Sequence, residues 1–140
     1  MKNKLIASLL VAVVFFITSF TKLNENIKSV KTEKQTEITF NEKVYNFGTI
    51  QQGDKVSHFF TFKNTGKYNL IISRAIGSCG CTIPEYPKTP ILPGKSGKMK
   101  VSFNSKGKSG KQTKTVSVYA NVPKGGVTIT IKANIKVKTF

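Results

Sequence analysis

The chain has 140 residues, which suits one domain after an N-terminal segment and is too short for two sizeable cores. Ten Phe, four Tyr, no Trp and abundant Val, Ile and Thr favour strands over helices. The formal net charge of +17 is carried almost wholly by lysine, Arg74 being the only arginine. Such charge draws a protein toward anions, but a dedicated nucleic-acid reader would use arginine for bidentate base contacts, and that class is set aside.

In chain order, Lys2 and Lys4 come first, followed by an apolar run from Leu5 to Ile17 broken only by Ser8, then Thr18 and Ser19. This order of positive, apolar and small residues is that of a secretory signal peptide, expected over residues 1–20 with cleavage after Ser19. The run falls short of the ~18 or more apolar residues of a spanning helix. Membrane contact is expected only if the segment stays uncleaved, and no cysteine lies near it for a lipid anchor. Residues 21–36 are rich in Lys, Glu and Asn without a sustained apolar stripe, and read as a disordered polar tether. The domain is expected over residues 37–140.

Within it, Ile38–Phe40 and Val44–Ile50 read as the first strands, Val56–Asn64 as the next, and Tyr68–Ile76 as a fourth. Met99, Val101 and Phe103 then alternate with Lys98, Lys100 and Ser102. Val116, Val118 and Ala120 alternate with Thr115, Ser117 and Tyr119. The longest alternation runs from Val127 to Val137, with Thr128, Thr130, Lys132, Asn134 and Lys136 on the wet side. Period-two alternation with one dry face is the mark of antiparallel sheets. Turn residues separate the runs at Gln52-Gly53-Asp54, Asn64-Thr65-Gly66, Pro93-Gly94, Lys106–Gly110 and Pro123–Gly126. About seven antiparallel strands in about 100 residues predict an all-β immunoglobulin-like sandwich, with a small closed barrel as the alternative. Gly48 is expected to let its strand bend or bulge, with Phe47 plugging the core. Gly66, Gly94 and Gly97 are expected to supply turns with positive φ.

The chemically unusual stretch is Ser78-Cys79-Gly80-Cys81-Thr82, before the proline-rich Ile83–Pro87. Cys79 and Cys81 are the only cysteines. Three readings stand side by side: a disulfide across Gly80, since exported thiols tend to oxidise; two thiols that shape the loop; or a soft-metal site for Cu(I) or Zn(II). A structural zinc normally takes four ligands, and His58, Met99 and Glu85 are the remaining candidates. His58 is in phase with Val56, Phe60 and Phe62, which places it at the core or its margin.

Phe47-Gly48-Thr49-Ile50, Phe60–Gly66, Leu70-Ile71-Ile72, Ser78–Thr82, Pro93–Gly97 and Val101-Ser102-Phe103 form one ordered pattern. It resembles the bacterial domain-of-unknown-function family with a Cys-Gly-Cys motif, DUF1573. That family is similar in layout to the immunoglobulin-like domains of the major-sperm-protein and cilium-associated type. The resemblance covers residues 37 to 138 and implies an extracytoplasmic sandwich, without implying an activity.

Enzymatic chemistry is not expected. Glu37, Glu42, Asp54 and Glu85 are scattered, and the single His leaves a Cys79–His58 or Cys81–His58 dyad without an orienting third group. The function expected is a non-enzymatic periplasmic or secreted binding or scaffold module without a cofactor, its partner a protein or an anionic envelope component. The alternatives are a thiol or metal module centred on Cys79 and Cys81, with His58 as a possible extra ligand, and a polyanion binder acting through the lysine-rich strands.

Overall fold

The computed structural model of the chain describes residues 34–137. The expected signal peptide and the tether up to residue 33 lie outside the described residues. Eight strands follow in order: β1 (Ile38–Phe40), β2 (Val44–Gln51), β3 (Lys55–Asn64), β4 (Ile72–Gly77), β5 (Thr82–Glu85), β6 (Ser96–Asn104), β7 (Gly110–Ala120) and β8 (Gly126–Lys136). They form two four-stranded sheets, β1-β3-β6-β5 and β2-β8-β7-β4. Both sheets contribute to one apolar core, so the architecture is the immunoglobulin-like sandwich.

The alternation explains the burial. Met99, Val101 and Phe103 of β6 meet Phe60 and Phe62 of β3 from one side. Val116 and Val118 of β7 and Ile129, Ile131 and Ile135 of β8 close the core from the other. Each such side chain contributes roughly 1.5–3 kcal/mol by leaving water. Lysines 98, 111, 132 and 136 occupy the intervening, exposed positions.

Two features differ from the sequence expectation. The first is an eighth strand, β5, within the stretch read as a proline-rich loop. It lasts four residues and lies at the edge of its sheet, pairing only with β6. Pro84 is tolerated there because an edge strand need not donate on both sides. The second is that not every pair is antiparallel. β2 runs parallel to β8, with Val44 opposite Thr130 and Gln51 opposite Lys136. The chain crosses from one sheet to the other between β1 and β2, and so reaches β8 already running in its direction.

Gly48 has φ +71°, and the β2–β8 register shifts between Asn46 and Thr49, so the bulge expected there is present. Gly94 likewise has positive φ, at +76°. Gly66 and Gly97 do not, and their need for glycine is steric. A Cβ on Gly97 would stand 2.6 Å from the Phe62 ring, and one on Gly66 would overlap Thr36 and the Glu37 backbone.

The lead-in to β1 is held down. Thr36 is buried, its N–H donates to the Asn121 carbonyl at 2.9 Å, and its hydroxyl donates to Asn64 Oδ1 at 2.9 Å. Lys34 accepts at its carbonyl from Asn121 Nδ2 at 3.0 Å. The last residues assigned to the tether from sequence thus pack on the domain.

Candidate functional site

The Cys-Gly-Cys stretch sits where the chain leaves one sheet at the end of β4 and enters the other at β5. Backbone bonds fix both ends of this turn. Ser78 N–H donates to the Thr115 carbonyl at 2.8 Å, and Thr115 N–H donates to Ser78 Oγ at 3.1 Å. Thr82 N–H donates to the Cys79 carbonyl at 3.1 Å, and Asn104 N–H to the Cys81 carbonyl at 3.0 Å. A Cβ on Gly77 would run into the Thr82 carbonyl, so the two strands approach as closely as their backbones allow.

Between these anchors the sulfurs of Cys79 and Cys81 stand as a disulfide pair, with Cα atoms 5.2 Å apart. Gly80 is exposed and both cysteines are half-buried. Cys81 packs against the core and Cys79 is not among the residues that do. The Thr82 hydroxyl lies 3.5 Å from Cys79 Sγ and 3.8 Å from Cys81 Sγ, and Thr82 is buried. Thr82 stands out in the structure rather than in the sequence, where only its place after the second cysteine marks it.

His58 belongs to a different part of the molecule. Its ring stacks on Tyr45 at 3.5 Å, meets Phe60 edge-on at 4.9 Å, and its Nε2 is 2.8 Å from Glu42 Oε1. It therefore occupies the core margin, engaged with Glu42. Among the described residues no three of His, Cys, Asp and Glu come together to hold a metal ion. His58, Glu85 and the two cysteines, grouped from sequence as ligand candidates, are thus not assembled in one place. Glu85 instead accepts from Lys100 Nζ at 3.2 Å, and Met99 is fully buried in the core.

A second site emerges from the β2-β8-β7 register. A cleft of about 450 Å³ is lined by Asn46, Thr49, Lys111, Thr113, Lys132 and Asn134, at the Gly48 bulge. Asn46 stands opposite Lys132, which stands opposite Thr113; Thr49 stands opposite Asn134, which stands opposite Lys111. The Gly48 N–H donates to Asn46 Oδ1 at 2.9 Å, which leaves the amide nitrogen of Asn46 as its free end. Among the described residues neither Lys111 nor Lys132 forms an ion pair, and no acid follows Glu85 in the sequence.

The cation–π contact of Arg74 with Tyr119, 4.0 Å to the ring centroid across the β4–β7 pair, occupies the only arginine.

No curated protein shows significant sequence similarity to the chain. Among solved structures, a protein of unknown function from Porphyromonas gingivalis W83 superposes with a TM-score of 0.64 at 16% identity, covering 78% of this chain and 51% of its own. The secreted serine protease VesC from Vibrio cholerae gives 0.57 at 14% identity, covering 72% of this chain and 23% of that one. The chain thus spans about half of the former and under a quarter of the latter. The PapD-like domain 7 of human CEP192, an ASH domain, gives 0.58 at 11% identity, covering 84% of this chain and 97% of that one. At such identities the likeness is one of fold. Residues 38–135 match the family described as "Protein of unknown function (DUF1573)", in keeping with the motifs from Phe47 to Phe103. The chain belongs to the DUF1573 family.

Proposed function

We propose that the chain is an exported, non-enzymatic binding module of the bacterial envelope, and that it meets an anionic partner on the outward face of the β2-β8-β7-β4 sheet. The observation that carries this reading is the cleft at the Gly48 bulge. Its lining offers two lysine ammonium groups, the Asn46 amide nitrogen and the Thr49 and Thr113 hydroxyls as donors, beside the side-chain amides of Gln112 and Asn134. Lysines without a carboxylate nearby are free to neutralise a bound anion, and their field is uncancelled because β6, β7 and β8 carry no acid.

The test separates a local site from overall charge. The double variant Lys111→Gln, Lys132→Gln is compared with Lys98→Gln, Lys100→Gln, which removes the same charge from the other sheet. Both are used to capture partners from envelope extracts at low and high salt. The first variant is expected to lose most of the retained material and the second to keep it, with capture weakening as salt rises. Equal losses from both would reject the cleft as the docking place. Sequencing the N-terminus of secreted chain checks export, with a new terminus expected close to residue 20.

A soft-metal site on Cys79 and Cys81 is the competing reading. It requires two free thiolates, and the paired sulfurs offer none while joined. Metal content of protein prepared under reducing conditions, against the Cys79→Ser, Cys81→Ser double variant, decides it.

A further inference from the structure

We infer that Cys79 and Cys81 form a redox-active pair that exchanges its disulfide with the two thiols of a partner protein, assisted by the Thr82 hydroxyl. This goes beyond the proposed binding function and does not depend on it.

The starting point is Thr82. Buried hydroxyls ordinarily bond to strong acceptors such as carbonyl oxygens. Among the described residues this one has only the two sulfurs, at 3.5 and 3.8 Å, and a disulfide sulfur is a weak acceptor. A thiolate is a far better one, and hydrogen bonds to charged groups are worth about 1.5–3 kcal/mol. The hydroxyl is therefore placed for a species that the oxidised pair does not contain and that reduction creates.

The surroundings fit exchange. The pair encloses only Gly80, so it closes a minimal loop and fixes little of the chain. The turn is held at both ends by the backbone bonds of Ser78, Thr82 and Asn104, none of which uses a sulfur atom. Cys81 leans on the core while Cys79 is not among the residues packed there, so the attack is assigned to Cys79.

The steps balance. A partner thiolate attacks Cys79 Sγ; the Cys79–Cys81 bond breaks, and Cys81 Sγ leaves with the bonding pair as a thiolate, receiving the Thr82 hydrogen bond. The partner's second thiolate then attacks the partner sulfur of the mixed disulfide, releasing Cys79 as a thiolate. Both thiolates take up the protons that the partner's thiols gave up. Two electrons and two protons have moved onto the cysteine pair, and the partner holds a new disulfide. The reverse sequence reduces the partner's disulfide to two thiols and restores the Cys79–Cys81 disulfide.

The experiment follows reduction of the full chain by dithiothreitol under native conditions, with quenched alkylation and mass spectrometry. Reduction is expected to go to completion while the far-ultraviolet spectrum stays that of the folded sandwich. Thr82→Val is expected to slow it about ten-fold, and Thr82→Ser, which keeps the hydroxyl, to restore the rate. A merely structural Thr82 would alter stability without that pattern. Unchanged rates in Thr82→Val, a Thr82→Ser rate as slow as the valine variant, or reduction that proceeds only where the domain unfolds would each overturn the proposal. Should Thr82→Val fail to fold, the single-cysteine variants decide. With oxidised glutathione, Cys81→Ser is expected to form a mixed disulfide at Cys79 several-fold faster than Cys79→Ser forms one at Cys81. Equal rates, or no adduct, would count against it.

Discussion

Asn64 shows how much one polar side chain can do in a small core. It is fully buried at the end of β3, and all of its amide is engaged. Nδ2 donates to the carbonyls of Tyr68 and Ile91, both at 2.8 Å. Oδ1 accepts from the Thr36 hydroxyl at 2.9 Å and from Gly66 N–H at 3.1 Å. The lead-in to β1, the turn after β3 and the stretch at Ile91 therefore meet on one amide. Asn64→Ala strands those partners away from water, and each buried unpaired group costs about 1–3 kcal/mol. The expected loss is roughly 3 kcal/mol or more of unfolding free energy, read from the urea midpoint at unchanged slope. Asn64→Asp is expected to do no better, because its carboxylate would face two carbonyl oxygens where the amide nitrogen now donates.

At the level of elements, β1 depends on its lead-in. Thr36 and Lys34 bond to Asn121 and Asn64, beyond the three residues of the strand itself. A fragment starting at Ile38 loses these bonds and the burial of Thr36. It is expected to be less stable than one starting at Glu33 by about 2 kcal/mol, which paired chemical denaturation curves would measure. This same scale marks what the sequence makes visible. β6, β7 and β8 are plain in it because each has one wet and one dry face, so alternation alone reports them. β5 is hidden: Thr82-Ile83-Pro84-Glu85 is too short for a period, and proline argues against a strand until its edge position is known. The parallel partnership of β2 with β8 is equally silent, since a strand's period says which way its side chains point and not which neighbour it will find. The candidate sites divide in the same way. The cysteines are conspicuous by composition. The contact of Thr82 with both sulfurs depends on how the turn folds back, and the cleft needs three strands brought into register.

For the molecule as a whole, the pairings join segments far apart in the chain: β2 with β8, β3 with β6, β4 with β7. Chains dominated by such distant contacts fold slowly, because loops must close before any contact rewards them. Refolding from urea is expected on the scale of about milliseconds to seconds, observable by stopped-flow tyrosine fluorescence. A sub-millisecond phase carrying the full amplitude would contradict the topology described.

The position of β8 has a consequence for how such a polypeptide is made. It lies between β2 and β7, so without it the second sheet is severed and β2 has no neighbour there. Until residues 126–136 are made, β7 can pair with β4, but β2 stays without a partner in that layer and the second sheet cannot be completed.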